Sequence, residues 1–199
     1  SIKDDVHKLA KCDDAILITG ETGTGKELIA KAMRGDRQGM FVACNCAGFP
    51  EQLIESELFG YVKGAFTGAD NTRQGLMATA KDGVLFLDEI GELALSVQAK
   101  LLRAIQDKQI RRVGGRDMED INCKFVCATH RDIKKMVKNN EFRQDLYARI
   151  STFEVHIKSL RERECDIELI ILSLQGGKEF LAELHKQGHG LHKLDLSLN

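Results

Sequence analysis

The feature that most constrains this chain is a glycine-rich segment between an apolar stretch and a helical stretch. Residues 20–26 read G-E-T-G-T-G-K, after the apolar run 15–19 and before an amphipathic stretch at 25–34. In a strand–loop–helix context, the spacing G-x-x-x-x-G-K lets backbone N–H groups wrap around phosphate oxygens while the lysine reaches the terminal phosphates. A glycine turn without a ligand is the alternative, which the flanking strand and helix disfavour. The predicted nucleotide-binding residues are Gly20, Glu21, Thr22, Gly23, Thr24, Gly25, Lys26 and Glu27.

The rest of the chain alternates short apolar runs with stretches of helical periodicity. Further strands are predicted at 41–45, 84–88, 123–129 and 152–157, and helices at 51–58, 96–106, 133–137 and 142–149. Strands that alternate with helices indicate an α/β fold, a three-layer sandwich with a mainly parallel sheet. Two segments, 59–74 and 110–120, show neither period and are candidate working loops.

Charge and hydropathy limit the partners of such a chain. The 29 Lys and Arg residues are balanced by 30 Asp and Glu residues, so the basic excess of a DNA-binding domain is missing. Any contact with DNA is expected through a domain absent from this chain. The longest apolar run, residues 83–87, is far shorter than the roughly 20 residues that span a bilayer, and no secretory leader pattern opens the chain. A cytoplasmic protein that does not contact a membrane is expected.

Six cysteines raise the alternatives of metal binding or disulfides. Cys44 and Cys46 are separated by one residue and Cys123 and Cys127 by three, and both pairs fall in strand-like stretches. Alternate strand residues share a face, so these spacings fit thiols packed as small hydrophobic groups better than they fit structural zinc. We expect buried thiols in a reducing compartment.

Two acids follow the apolar run at 84–87. Asp88 and Glu89 stand at the carboxyl end of a predicted strand, where open α/β sheets bind ligands. Asp88 is predicted to hold magnesium, largely through water, and Glu89 to polarise the water that attacks the γ-phosphate. A helix-capping acid pair is the alternative. Together with Lys26, the two acids indicate hydrolysis of ATP, with magnesium as the metal.

Two more motifs carry a family resemblance. Residues 57–60 read E-L-F-G, and residues 64–69 read G-A-F-T-G-A. With the loop at 20–27, they resemble the AAA+ P-loop NTPase domain of bacterial enhancer-binding proteins, the NtrC-like activators of sigma-54 RNA polymerase. The resemblance implies that the hexapeptide contacts sigma-54. Its residues are Gly64, Ala65, Phe66, Thr67, Gly68 and Ala69. The glycines let a loop bend while it displays Phe66, although a glycine-rich loop with an inward Phe is the alternative without the resemblance.

The resemblance extends over residues 15–168 and assigns further roles. Arg143 and Arg149 match two arginines that reach the nucleotide of the neighbouring subunit, which implies a ring, a hexamer in this family. Asn45 matches an asparagine that holds the catalytic glutamate away from water. Surface ion pairs for the arginines, and a turn role for the asparagine, are the alternatives.

The chain departs from the family pattern at several positions. His130 replaces the asparagine that senses the γ-phosphate, and residues 158–159 replace a proline pair before the lid. A neutral imidazole still donates one hydrogen bond, and its protonation would make the site sensitive to pH. We expect an ATPase core at 1–164, with the sigma-54-contact insertion at 59–74, and the start of an incomplete helical lid at 165–199.

The leading functional hypothesis is an ATP-hydrolysing activator that remodels the sigma-54 holoenzyme at a closed promoter. A nucleotide-binding but hydrolysis-impaired sigma-54 interaction module is a second hypothesis. It is favoured by His130 and by the absence from this sequence of the later lid motif, with its nucleotide-facing arginine, that the resemblance leads us to expect. A different AAA+ remodelling ATPase is the third, and the G-A-F-T-G-A motif argues against it.

Overall fold

The computed structural model describes Val6 and residues 8–162. The chain divides into two compact units, 1–156 and 157–199. Of the second unit, the structure describes residues 157–162, which end in the 3-10 turn Leu160–Glu162. The predicted lid at 165–199 lies outside the described residues, and its boundary at 164 stays a prediction.

Strands and helices alternate through the first unit. The strands are β1 Ile16–Thr19, β2 Phe41–Asn45, β3 Gly60–Tyr61, β4 Arg73–Gln74, β5 Val84–Asp88, β6 Gln109–Arg111, β7 Met118–Asp120, β8 Lys124–Thr129 and β9 Phe153–His156. The helices are α1 Lys26–Ala32, α2 Glu51–Phe59, α3 Leu76–Thr79, α4 Leu95–Asp107, α5 Ile133–Lys138 and α6 Gln144–Ile150. The predicted strands at 41–45 and 84–88 are confirmed to the residue, and the other predicted elements differ by one or two residues at their ends.

Five strands form one parallel sheet in the order β2-β5-β8-β1-β9. All six residues of β8 are buried, and β5 is buried up to Asp88. Strands buried along their whole length need helices on both faces, which makes the unit a three-layer α/β sandwich. The sequence-based fold class is therefore confirmed.

The two segments without a predicted period contain short antiparallel ladders. In the first, β3 pairs with β4, and in the second, β6 pairs with β7. The prediction that these two segments are loops was wrong for the residues at the ends of each segment, which form strands. A two- or three-residue strand is too short to show an alternating pattern, and its pairing comes from the chain returning on itself.

Four of the cysteines are buried free thiols, and a fifth, Cys12, is partly exposed. Burial raises the pKa of Cys127 to about 12 and that of Cys123 to about 11, so both are protonated at neutral pH. Cys165 lies outside the described residues. Within residues 8–162, no helix is long and apolar enough to cross a membrane.

Glycines at 39 and 83 allow two backbone segments to touch before β2 and β5. A Cβ at Gly83 would lie 2.1 Å from the carbonyl oxygen of Met40, and one at Gly39 would lie 2.2 Å from that of Lys81. The same segments exchange hydrogen bonds, Gly39 N to Asp82 O and Val84 N to Met40 O. The start of the β2–β5 ladder thus has no room for a side chain.

Gly83→Ala should lower the free energy of unfolding by about 1–3 kcal/mol, because backbone atoms cannot move aside as a flexible side chain would. Gly48→Ala is the matched control, since a Cβ there meets nothing within 4 Å. Urea titrations of both variants measure the difference. Equal midpoints for the two would contradict the close approach.

Candidate functional site

The glycine-rich loop wraps between β1 and α1 through two left-handed residues. Gly23 has φ 80° and Gly25 has φ 91°, and a Cβ at either position would have open space or an ordinary contact beside it. These glycines are therefore required by backbone conformation rather than by crowding. The Thr24 hydroxyl donates to the Glu21 carbonyl at 2.8 Å and braces the turn. Gly20 N donates to Thr129 O at 3.3 Å, which fixes the loop against the end of β8.

Lys26 is a buried lysine held by its own loop. Its side chain leaves the first turn of α1, and Nζ donates to the carbonyl oxygens of Gly20 and Glu21 at 3.0 Å each. Lys26 is only 6% exposed. An ammonium group so enclosed is a strong local source of positive charge, because little water screens it.

Asp88 ends β5 close enough to Lys26 to be affected by its charge. Burial is the largest influence and raises the pKa of Asp88, the charge of Glu89 raises it further, and the charge of Lys26 lowers it. Oδ1 of Asp88 accepts a hydrogen bond from Glu89 N at 3.0 Å. A bound cation would relieve both unfavourable influences, so this half-buried carboxylate fits a metal-binding role.

Glu89 lies in a left-handed conformation that turns its side chain toward the end of β8. It has φ 52° and ψ 49°, and its carboxylate Oε2 lies 2.7 Å from His130 Nδ1 and 3.3 Å from His130 N. The glutamate side chain is 13% exposed. The structure therefore brings Lys26, Asp88, Glu89 and His130 together at the carboxyl ends of β1, β5 and β8.

Asn45 neighbours this group but its carboxamide oxygen is used elsewhere. Its Cα is the register partner of Asp88 on the adjacent strand. Its Oδ1 accepts from Ala47 N at 2.9 Å and so caps the 3-10 turn Cys46–Gly48. In this structure the partner of Glu89 is His130, and the side chain of Asn45 has the turn-capping role that the sequence left as an alternative.

Glu27 forms an ion pair within α1. Its carboxylate pairs with Lys31 one turn along α1 at 2.8 Å, with both side chains more than half exposed. Glu27 follows the lysine at the position where a phosphate-binding loop of this spacing usually has Ser or Thr, and it is a surface residue of the helix. Asp88 stays the one residue predicted to hold magnesium.

Of the two predicted trans-acting arginines, Arg143 comes directly before α6 and Arg149 lies on it, and both are exposed. Arg143 immediately precedes the helix and forms a two-point ion pair with Asp145, Nε to Oδ1 at 3.0 Å and Nη2 to Oδ2 at 2.6 Å. The hydrogen bond from Arg143 lowers the pKa of Asp145. Arg149 occupies the last turn. The structure thus presents both side chains on the surface.

The G-A-F-T-G-A segment forms a compact turn between β3 and β4. Gly64 N donates to Ala69 O at 2.8 Å, and Ala69 N donates to Phe66 O at 3.0 Å. Phe66 is 43% exposed and rests on Tyr61, with ring centroids 5.0 Å apart. Thr67 is exposed at the tip. The inward orientation of Phe66 that the sequence left open is therefore not observed.

The two segments predicted to be working loops, 59–74 and 110–120, contact each other. Val62 N donates to Val113 O at 3.1 Å, and Val113 N donates to Gly60 O at 2.9 Å. A Cβ at Gly114, which has φ 74°, would lie 2.7 Å from the Cβ of Ala65. The β6–β7 hairpin therefore lies against the base of the G-A-F-T-G-A turn. Sequence reasoning missed this contact, for which the glycine pair at 114–115 was the available signal.

A second polar cluster adjoins the phosphate-binding loop. His156 Nδ1 lies 3.1 Å from the hydroxyl of Thr19, the residue before Gly20. The groups border an open depression of about 420 Å³ that His130 also lines. Sequence reasoning did not single out His156, since a strand histidine carries no spacing signal until its neighbouring strand is known.

A five-stranded parallel sheet with a phosphate-binding loop after β1 and an acid pair after β5 defines the AAA+ class of P-loop ATPases. The chain matches the Sigma-54 interaction domain over residues 1–156, and it belongs to that family. The family resemblance stated from the motifs is thereby confirmed.

Individual relatives agree with the family assignment. The chain is 47% identical over 169 residues to the regulatory protein AtoC of Escherichia coli (strain K12), covering 83% of this chain and 37% of AtoC. It is 49% identical over 173 residues to the regulatory protein LuxO of Vibrio cholerae, covering 85% of this chain and 33% of LuxO. The crystal structure of NtrX from Brucella abortus in complex with ATP superposes with a TM-score of 0.78 at 30% identity, covering 85% of this chain and 37% of that one. The chain therefore spans little more than a third of the length of these relatives.

Gly114→Ala should loosen the contact between the hairpin and the turn, because the new methyl group would overlap the Ala65 side chain. Amide hydrogen exchange at Val62 and Val113 should accelerate. Gly68→Ala is the control, since it has a similar positive φ of 94° but nothing within 4 Å of a Cβ. Unchanged exchange in Gly114→Ala would show that the contact does not hold the turn.

Proposed function

We propose that this domain binds ATP with magnesium and hydrolyses it to remodel the sigma-54 holoenzyme. The observation that carries the proposal is the meeting of Lys26, Asp88 and Glu89 at one edge of the sheet, in a chain that also presents the G-A-F-T-G-A turn. Family membership and the ATP complex of NtrX support it. The longer protein would act in the cytoplasm and contact DNA through a domain outside this chain.

Binding rests on the loop at 20–27 and on Asp88. Backbone N–H groups of the loop would hold the phosphates, and Lys26 would exchange its two carbonyl partners for phosphate oxygens, a stronger charge-assisted contact. Magnesium, held by Asp88 largely through water, would neutralise charge on the β- and γ-phosphates.

Hydrolysis needs a base that orients water, and Glu89 is the candidate. In this structure its carboxylate is bound to His130, so it must leave that partner or share it before it can activate water. His130 would then donate toward the γ-phosphate, the position that the family fills with asparagine.

Lys26→Ala should weaken the binding of an ATP analogue by roughly 1.5–3 kcal/mol, the value of a charge-assisted hydrogen bond. Glu89→Gln should leave that affinity intact but slow phosphate release by about 10²–10⁴-fold, since the amide cannot accept a proton. Calorimetry and a phosphate-release assay separate the two effects. Undiminished affinity in Lys26→Ala, or normal turnover in Glu89→Gln, would remove the residue concerned from its role.

Arg143 and Arg149 are proposed to serve the nucleotide of the next protomer in a ring, a hexamer. Both are exposed at α6, Arg143 directly before its first residue and Arg149 in its last turn. A guanidinium supplied from outside would neutralise charge that develops on the γ-phosphate. Arg143 would have to exchange Asp145 for the nucleotide. We also propose that residues 165–199 begin a helical lid subdomain.

Hydrolysis per protomer should therefore rise with protein concentration. A mixture of Arg149→Ala and Lys26→Ala protomers should recover activity that neither variant has alone, because an intact phosphate-binding loop then faces an intact arginine. Steady-state phosphate release measures both effects. A rate independent of concentration, with no recovery in the mixture, would show that the arginine acts within its own protomer.

The exposed turn at 64–69 is the proposed contact to sigma-54. Thr67→Ala and Phe66→Ala should retain ATP hydrolysis but lose sigma-54 binding in the presence of a transition-state analogue of ATP, since interface energy concentrates in a few exposed anchors. Phe153→Ala on β9 is a matched control, because that ring is 39% exposed and far in sequence from the turn. Unchanged binding in both turn variants would reject the contact.

One observation favours a second candidate, a hydrolysis-impaired interaction module. The contact of 2.7 Å between Glu89 and His130 would keep the glutamate from water if it persisted with ATP bound. Phosphate release by the wild-type chain distinguishes the two functions, since the module would bind ATP without turnover.

A further inference from the structure

A buried glutamine joins the segment that follows Glu89 to the segment that carries Arg143. Gln98 lies in the first half of α4 and has no exposed surface. Its Nε2 donates to Leu93 O at 2.7 Å and to Glu141 O at 3.2 Å, and its Oε1 accepts from Arg143 N at 2.8 Å. Both donors and the acceptor of the amide are thus occupied by backbone groups of two other segments.

One end of this network sets the backbone of Arg143. The carbonyl of Glu141 and the N–H of Arg143 flank Phe142, which is 2% exposed. Gln98 therefore binds the backbone on both sides of a buried aromatic anchor. Arg143 has φ −73° and ψ 129° and immediately precedes α6. The hydrogen bond from its N–H to Gln98 therefore fixes the point of the backbone from which the arginine side chain projects.

The other end reaches the segment of Glu89. A single 3-10 turn, Ile90–Glu92, separates Glu89 from Leu93, with Glu92 N donating to Glu89 O at 2.9 Å. The Glu92 carboxylate lies 2.8 Å from Arg131 Nε, next in sequence to His130. A displacement of Glu89 relative to His130 would therefore pull on the carbonyl that Gln98 holds.

We propose that Gln98 is a positioning residue for Arg143 and links the placement of that arginine to the Glu89 segment of its own protomer. The proposal rests on the proposed role of Arg143 at the neighbouring protomer's nucleotide. The coupling would pass through the hydrogen bonds of the Gln98 side-chain amide, which connect Leu93 directly to the backbone around Arg143. In a ring, the state of one site would thus influence hydrolysis at the next.

Removing the amide should impair hydrolysis without impairing nucleotide binding. Gln98→Met keeps the length of the side chain but cannot pair with the three backbone groups. We expect phosphate release to fall about tenfold to a hundredfold, the effect of a misplaced reacting group, while the affinity for an ATP analogue changes less than about twofold. Gln106→Met is the matched control, since Gln106 is exposed on the same helix.

Mixtures of variants separate positioning of Arg143 from a general structural role. Lys26→Ala protomers have an unaltered Gln98 and Arg143, so they should restore hydrolysis in Gln98→Met protomers placed beside them. With equal amounts and random assembly, about a quarter of interfaces pair an intact loop with an intact arginine, so about a quarter of wild-type activity is expected. Arg143→Ala mixed with Lys26→Ala is the reference pair.

Each result decides the proposal. Recovery in both mixtures supports it. Recovery in the reference pair alone shows that Gln98 does not act through Arg143, and full activity of Gln98→Met alone shows the same. Failure of the reference pair refutes the trans role of Arg143, and with it the coupling. If Gln98→Met does not bind the ATP analogue, Gln98→Asn replaces it in the same mixtures, because it keeps a neutral amide but is one methylene too short to hold both segments.

Discussion

Parallel pairing of five strands is the constraint on which the rest of the structure depends. β5 is paired on one side with β2 and on the other with β8, and both neighbours run in its direction. Carboxyl ends of parallel strands meet at one edge, so residues distant in sequence arrive together there. Because β5 and β8 are buried on both faces, a shift of pairing by one residue would exchange the groups packed on each face. The two acids predicted to be catalytic, Asp88 and Glu89, are therefore placed by the packing of the core.

The sequence predicted the sheet and the phosphate-binding loop because both depend on local patterns. Continuous apolar runs mark buried strands, and the glycines at 23 and 25 mark backbone that only glycine adopts readily. Partners set by tertiary contact were not predictable. The hydrogen bond from Val62 N to Val113 O and the three hydrogen bonds of Gln98 depend on which segments the fold brings together. An exposed pair such as Arg143 and Asp145 depends on side-chain rotamers, which composition does not encode.

The position of Glu89 follows from its two neighbouring strands. β2 ends at Asn45 on one side of β5, and His130 follows β8 on the other, so the glutamate has a polar neighbour on each side. The carboxamide oxygen of Asn45 already caps a 3-10 turn, whereas the ring of His130 reaches the carboxylate at 2.7 Å. At position 130 the family resemblance predicts asparagine. The imidazole of His130 extends farther from the backbone than an asparagine carboxamide would, and it can donate to the Glu89 carboxylate from a ring nitrogen. In this structure the partner of Glu89 therefore comes from the end of β8 and not from the end of β2.

The same strand ends connect the site to the exposed turn. After Asn45 and its 3-10 turn, the chain enters α2, a nine-residue helix about 14 Å long, which ends at Phe59 directly before β3. Gly60 packs so closely on the backbone around residue 74 that a Cβ there would lie 2.5 Å from Arg73 O. Arg73 also pairs with Glu57 on α2 at 2.6 Å. Chain continuity, the ion pair of Arg73 and close backbone contacts therefore connect the end of β2, through α2 and the β3–β4 ladder, to the exposed turn and to the β6–β7 hairpin that lies against Val62.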